Sequence, residues 1–494
     1  MSHNLSKLIY RTIKTYITQS IIQIKMQVSR ININKNSSST STQSTICALA
    51  TPAGGAIAVI RLSGSDAVNM ADKVFVSKSN HSLKEAKAQT LHYGYLTDND
   101  GEVIDEVLVS VFRSPHSYTG EDAVEISCHG SQYVIAQILK TLIRNGCRQA
   151  KPGEYTQRAF MNGKMDLSQA EAVADLIAST NRATHQMAMS QLKGHFSDEL
   201  ALLRNQLLKI TSLLELELDF SDHEELEFAD RTELLDLAQA IERRLSTLTH
   251  SFETGRAYKQ GVAVAIVGKT NVGKSTLLNQ LLNEEKAIVS DIHGTTRDTI
   301  EDTTEIKGIA FRFIDTAGIR STTDEIERLG IERTYKKLYE ARIILWMIDE
   351  QPSHDEIDEM LKNCKDKQVI LVQNKIDVRV IPNTLPTSGI STIQISAKLG
   401  TNIKQLENLL CQKANIPEIT ENDVIITSVR HYDALIHAKE SITRVINGLK
   451  SNLSGDLISE ELRICLDQLA DITGGQITTP EVLENIFKHF CIGK

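Results

Sequence analysis

The chain has 494 residues, 41% of them apolar and 5% aromatic, which supports several cores and about three domains. Its formal charge is −9, and residues 1–44 carry six Lys and Arg and no acid, so the remainder stands at −15. That acidic body excludes broad, sequence-blind coating of nucleic acid, which needs many phosphate contacts, and leaves room only for a local basic pocket for RNA. In chain order, the basic, Ser/Thr-rich residues 1–44 end in NKNSSSTSTQS. They read equally well as an organellar transit peptide, a disordered extension, or a start assigned too early. From Thr45 the runs ICALAT, GAIAVIRLSG, VLVSVF and AVEISCHG predict short strands between Gly/Pro turns, with helices near 65–75 and 131–145. This is an α+β domain over 45–164.

Residues 165–256 change character. Leu192, Phe196, Leu200, Leu203, Leu207, Ile210, Leu214 and Leu218 recur every three to four residues and predict one apolar helix stripe. From 257 to 419 strands and helices alternate. VAVAIVG, FRFIDTAG, RIILWMIDE, VILVQNK and STIQISA are candidate buried strands, with helices near 274–283, 326–340, 354–365 and 402–413. Such alternation predicts a doubly wound α/β sheet. From 420 to 494 the helical pattern resumes, so the economical reading is one helical domain, 165–256 and 420–494, interrupted by an inserted α/β domain. No apolar run approaches the roughly 18 residues of a membrane span. The cysteines Cys47, Cys128, Cys147, Cys364, Cys411, Cys465 and Cys491 form no C-x-x-C pair, which fits a reducing compartment rather than a disulfide framework or zinc site.

GKTNVGKS at 268–275 fits G-x-x-x-x-G-K-[ST] and lies between a predicted strand and a predicted helix. Its glycines let backbone N–H groups close on phosphate oxygens, and the helix N-terminus adds positive potential. Lys274 would reach the β- and γ-phosphates, and Ser275 would ligate Mg²⁺. In DTAG (315–318), Asp315 would hold Mg²⁺ through water and the Gly318 N–H would sense the γ-phosphate. In NKID (374–377), Asp377 would accept from guanine N1–H and its 2-amino group, Asn374 would brace the loop, and the stem of Lys375 would cover the base. In SAK (396–398), the Ala397 N–H would meet guanine O6. Thr296, in GTTRD (294–298), is the candidate second Mg²⁺ hydroxyl. GKTNVGKS, DTAG, NKID and SAK, in that order, point to GTP over ATP. The predicted nucleotide site thus comprises Asn271, Val272, Gly273, Lys274, Ser275 and Thr276, then Ser290, Asp291, Ile292, His293, Gly294, Thr295 and Thr296. It continues with Asp315, Thr316, Ala317 and Gly318, with Asn374, Lys375, Ile376 and Asp377, and with Ser396, Ala397 and Lys398. The residue after DTAG, where Ras-type enzymes place a glutamine that orients water, is Ile319.

SYTGEDAVEISCHG (117–130), PGEYTQRAFMNGKMDLSQAEAVADLI (152–177) and the terminal FCIGK resemble the MnmE (TrmE) family of tRNA-modifying GTPases, from about Thr45 to Lys494. The resemblance implies an α+β tetrahydrofolate-binding N-terminal domain, a long helical bundle domain and an inserted Ras-like P-loop GTPase domain. It implies a homodimer and a complex with an FAD-dependent partner, MnmG (GidA). Together these would install a carboxymethylaminomethyl or aminomethyl group at C5 of a tRNA wobble uridine, using the one-carbon unit of a methylene- or 5-formyl-tetrahydrofolate. It also implies hydrolysis that depends on K⁺ and on two G domains meeting. Asn271, Ser290, Ile292 and Thr295 would then hold K⁺ where an arginine finger otherwise acts. Glu327, in TTDEIERLG, would orient the water that Ile319 cannot; read without the resemblance, it is a solvated helix position. Thr270 stands where many family members have proline, and no ligand is lost by it.

Arg61, Glu125, Lys164 and Lys494 match the family's folate-contacting positions, the cations suiting glutamyl carboxylates. Without the resemblance Arg61 and Lys164 read as surface charges. Cys491 matches the family's essential cysteine, so it joins Lys274 and Glu327 among the candidate catalytic residues; a buried structural thiol is the rival reading. A prenylation box is excluded, because Gly493 is not aliphatic and Lys494 is not a usual terminal residue. A regulatory GTPase switch would account for the guanine motifs but not for the CIGK tail. A purely folate-dependent aminomethyltransferase would leave the guanine motifs unexplained. A cytoplasmic site of action is expected, or a mitochondrial one if residues 1–44 are a transit peptide.

Overall fold

The computed structural model describes residues 44–52, 54–79, 81–219, 231–283, 302–314, 341–364, 367–379, 390–417, 420, 423–475, 483, 486–488, 490 and 493. These fall into two compact units, residues up to 164 with 480–494, and residues 165–479.

In the first unit, β1 (Ile46–Leu49), β2 (Ile57–Ser63), β3 (Phe75–Ser77), β4 (Thr90–Thr97), β5 (Val103–Phe112), β6 (Ala123–His129) and β7 (Arg148–Gln149) form one sheet ordered β3-β4-β5-β6-β2-β1-β7. Helices α1 (Ala67–Val74), α2 (Gln132–Arg144) and α3 (Glu154–Met161) complete it. The strands alternate. Ile60, Leu62, Val109, Val111, Val124 and Ile126 turn inward and pack with Val68, Ala71, Ile138 and Leu142 of α1 and α2. Their neighbours in sequence turn the other way. β2 pairs antiparallel with β6 in a register that sets Arg61 opposite Glu125, so the strand period alone brings these two side chains together on the outer face. That face also carries Leu91, Tyr93 and Leu108, which are 62%, 46% and 41% exposed. The tail belongs to this unit rather than to the helices that precede it in sequence. Phe487 is buried and its ring meets Phe490 at 5.0 Å.

Behind α3 lies a buried charge chain. Arg158 is 4% exposed and pairs with Glu121 and Glu154, each at 3.0 Å. Arg148 closes on Glu154 from the other side. Burial pushes the Glu154 carboxyl up, but donors from Arg148, the Lys151 N–H and Arg158 outweigh it and hold its pKa below the usual range. A carboxyl whose folded pKa is depressed stabilises the fold above its unfolded value, near ~4.3, and that stability is lost as pH falls through the folded value. Glu154→Gln is therefore expected to flatten the loss of stability between about pH 5 and 3, as read from urea melts of both proteins. Equal slopes would show that Glu154 does not carry the acid sensitivity.

The second unit opens with α4 (Leu167–Ala178), α5 (Arg182–Leu192), α6 (His195–Asp219) and α7 (Arg231–Gln260). Side chains of Asp166 and Asn181 cap α4 and α5, each in a reciprocal capping box. The predicted stripe is real from Phe196 to Leu214, all buried. Its first member, Leu192, belongs to α5, because the chain turns at Gly194 in a left-handed conformation. Leu218 is one residue whose surroundings are not described. Next comes β8 (Val262–Val267), α8 (Lys274–Asn283), β9 (Asp302–Ile306), β10 (Ile309–Phe313), β11 (Ile343–Ile348), α9 (His354–Asn363), β12 (Gln368–Gln373), β13 (Ser391–Gln394) and α10 (Ile403–Ala414). The sheet order is β13-β12-β11-β8-β10-β9, parallel except that β9 runs against β10. The strands read as continuous apolar runs because both faces are covered. Helices α11 (Val429–Lys450) and α12 (Gly455–Thr473) then pack with α6 and α7 in one core. The helix expected near 326–340 lies outside the described residues. Among the described residues, no helix is long and apolar enough to cross a membrane.

Candidate functional site

In the α/β sheet the order of the strands reverses at β8, with β10 on one side and β11 on the other, all three parallel. Ligands of open α/β sheets sit at the carboxyl ends of strands at such a switch point. The P-loop leaves β8 there. Gly268 and Gly273 take φ of +150° and +99°, and Asn271 takes +62°. A Cβ on Gly273 would meet Asn374 Nδ2 at 2.3 Å, so the loop admits no side chain at that point. Ser275 and Thr276 are exposed at the first turn of α8, where free backbone N–H groups and the helix dipole favour an anion. Val272 is buried beneath the loop. Lys274 Nζ folds back and donates to Gly268 O at 2.7 Å and Lys269 O at 2.6 Å.

Asn374 joins the phosphate loop to the guanine loops. It is 5% exposed. Its Nδ2 donates to Val272 O at 2.7 Å, and its Oδ1 accepts from the Ala397 N–H at 2.9 Å. The Ala397 N–H, predicted to meet guanine O6, is held in this structure by the Asn374 carboxamide. The buried amide takes the buried acceptor beside it. Asp377 is exposed, and its Oδ1 accepts from Ser396 Oγ at 2.7 Å, which aims the carboxylate. The Ile376 N–H donates to Ile395 O, tying this loop to the end of β13. Lys375, at φ +66°, places Nζ 2.7 Å from Asp349 Oδ2. The geometry therefore gathers Asn271–Thr276, Asn374–Asp377 and Ser396–Lys398 around one strand-end crevice. Ser290, Asp291, Ile292, His293, Gly294, Thr295, Thr296, Asp315, Thr316, Ala317, Gly318 and Glu327 lie outside the described residues. Ser275 is the one predicted Mg²⁺ ligand described, and its open position fits that role. Asn271 is the one described K⁺ candidate, and it is exposed. Among the described residues no cluster of three or more His, Cys, Asp and Glu could hold a metal ion.

A second site lies on the outer face of the first unit. Arg61 contacts Glu125 through Nε at 2.8 Å and Nη2 at 2.7 Å, and its Nη1 donates to Gly493 O at 3.3 Å. The guanidinium lies 5.5 Å from the Tyr118 ring and 5.7 Å from the Tyr155 ring. Tyr155 Oη in turn donates to Arg61 O at 2.7 Å. A cavity of about 120 Å³ adjoins it, lined by Arg61, Ser63, Phe112, Tyr118, Thr119 and Glu125 among others. Burial raises the Tyr118 phenol, which Thr156 and Arg61 only partly offset. Lys164 is exposed and donates to Pro115 O at 3.0 Å, on the loop that supplies Tyr118 and Thr119. Cys491 and Lys494 lie outside the described residues. Sequence reasoning missed Tyr118, Tyr155 and Ser63. The signal available for the first was its place in SYTGED, next to the strand that carries Glu125.

Two family models match. The description "MnmE helical domain" covers residues 167–491, and "GTP-binding protein TrmE N-terminus" covers residues 45–164. Relatives described as "tRNA modification GTPase MnmE" include that of Parabacteroides distasonis, 58% identical over 91% of this chain and 100% of its own. Those of Bacteroides thetaiotaomicron and Flavobacterium johnsoniae are 54% and 50% identical, each over 92% of this chain and 100% and 99% of their own. With a guanine-type nucleotide crevice in place and relatives this similar over their whole length, the chain belongs to the MnmE family of tRNA modification GTPases.

Proposed function

We propose that the protein is a K⁺-dependent GTP hydrolase. With an FAD-dependent MnmG (GidA) partner it would form 5-carboxymethylaminomethyl or aminomethyl uridine at the tRNA wobble position, from a one-carbon unit carried by tetrahydrofolate, acting in the cytoplasm. The N-terminal domain (45–164) binds the folate, and a G domain (257–419) is inserted into the helical domain that begins at 165 and resumes at 420. The observation that carries the GTPase reading is the pair of hydrogen bonds of Asn374, donated to Val272 O and accepted from the Ala397 N–H, which links phosphate and base loops into one site. K⁺ dependence is supported by Asn271. Its left-handed backbone and exposed carboxamide stand on the rim of the phosphate loop, where with Ser290, Ile292 and Thr295 it would hold the ion. When bound, Mg²⁺ on Ser275 and Thr296 and K⁺ on its own set supply positive charge against the transferring phosphoryl group. Glu327 orients the water.

The folate reading is supported by Arg61, a buried-stem guanidinium facing Glu125 and the tail. Glu125 would accept from the pterin's N–H groups, and Lys164 and Lys494 would meet glutamyl carboxylates. The homodimer reading is supported by the large side chains Leu91, Tyr93 and Leu108, which stand exposed on the outer face of the first unit. GTP turnover is expected to be stimulated by K⁺ and hardly at all by Na⁺, and Glu327→Ala to abolish turnover with nucleotide still bound. Equal rates in the two salts would sink the K⁺ reading. Mass spectrometry of tRNA nucleosides from a strain lacking the protein tests the rest, since unchanged wobble uridines would leave a GTPase without this modification.

A further inference from the structure

We propose that Asp349 is a positioning residue for guanine recognition, the counter-charge that sets the stem of Lys375 beside the base. The inference rests on the guanine-site reading above. Three side chains of NKID face the nucleotide crevice, and each is fixed differently. Asn374 is buried and held by two hydrogen bonds, and Asp377 is aimed by Ser396. Lys375 has no such packing. Its side chain is 42% exposed, and four rotatable bonds leave its stem free unless the ammonium is anchored. The anchor is Asp349 Oδ2, 2.7 Å from Nζ. The fold makes this pairing natural. β11 and β12 are adjacent and parallel, with Ile348 level with Gln373, and the Asn374 N–H donates to Ile348 O at 2.8 Å. Asp349 is therefore the first residue beyond β11, beside the point where Lys375 turns at φ +66°. Neighbouring pairs are looser or serve other loops. Arg379 and Glu350 lie 3.9 Å apart and are 70% and 77% exposed, and Lys269 pairs with Glu356.

The test uses the full chain and a fluorescent GDP. Asp349→Asn is expected to release GDP about two- to fivefold faster, the range for a half-exposed ion pair. The KM for GTP should rise by a similar factor and kcat at saturating GTP should hold. Asp349→Glu, which keeps the counter-charge, should bring the release rate and KM most of the way back to those of the unaltered chain. Tripolyphosphate, which fills the phosphate loop and has no base, should compete equally with both proteins. An unchanged release rate in Asp349→Asn would overturn the proposal. So would a parallel loss of tripolyphosphate binding, which would mark a general defect of the sheet. Failure of the unaltered protein to bind GDP would be a different result, removing the guanine-site reading itself.

Discussion

Asn374→Ala is expected to weaken GTP and GDP binding by about two orders of magnitude, because two buried partners lose their bonds at roughly 1–3 kcal/mol each. The Val272 carbonyl would lose its donor and the Ala397 N–H its acceptor. Val272 lies in the phosphate loop and Ala397 in the base loop, so one truncation loosens both ends of the site. Gly273 adds a packing argument, since the space its missing side chain leaves is the space Asn374 Nδ2 fills. Asn374→Asp keeps an acceptor for Ala397 but cannot donate to Val272 O, and should recover little. Titration calorimetry with GDP measures both variants. A loss of under about threefold, less than one such bond is worth, would mean that the two loops hold their shape without the bridge.

Gly493→Ala should release the C-terminal tail from the first unit. Gly493 takes φ +95°, and an added Cβ would lie 2.3 Å from Leu49 O and 2.9 Å from Ala50 Cα. Neither contact can be relieved by a rotamer change, because both are backbone. Strain of ~1–3 kcal/mol at such a position adds to the clash. Undocking removes the carbonyl that accepts from Arg61 Nη1. Faster carboxypeptidase trimming of the tail is the direct readout, and a fall of at least about tenfold in 5-formyl-tetrahydrofolate affinity is the functional one. GTP turnover by the P-loop site should hold. Trimming no faster than in the unaltered chain would show that the tail docks without its glycine.

Much of the α/β sheet could be read directly. VAVAIV, RIILWMI and VILVQ are continuous apolar runs, and buried parallel strands need that pattern. β4 escaped the reading for the opposite reason. Its outward positions are Leu91, Tyr93 and Tyr95, while His92 and Gly94 lie between them, so no polar alternation marks the strand. β9, DTTEI, is short, polar and at the sheet edge, where pairing with β10 rather than side-chain burial makes it a strand. The tail was read as helical domain because its apolar residues continue the preceding pattern. Only packing shows Phe487 against Gly153 at the start of α3, and Gly493 against Leu49 and Ala50 at the end of β1.

What the sequence determined by itself is the chemistry that short spacings encode. The P-loop, NKID and SAK each need only a strand end, a turn and a few fixed residue types, and those are local properties of the chain. What the tertiary structure decided is which distant groups meet. The facing of Arg61 and Glu125 depends on the register of two strands. The contact of the Ala397 N–H with Asn374, and the pairing of Asp349 with Lys375, depend on how loops from neighbouring strands stack at the carboxyl ends of the strands. No linear pattern carries that information, because register and stacking follow from the packing of the whole core.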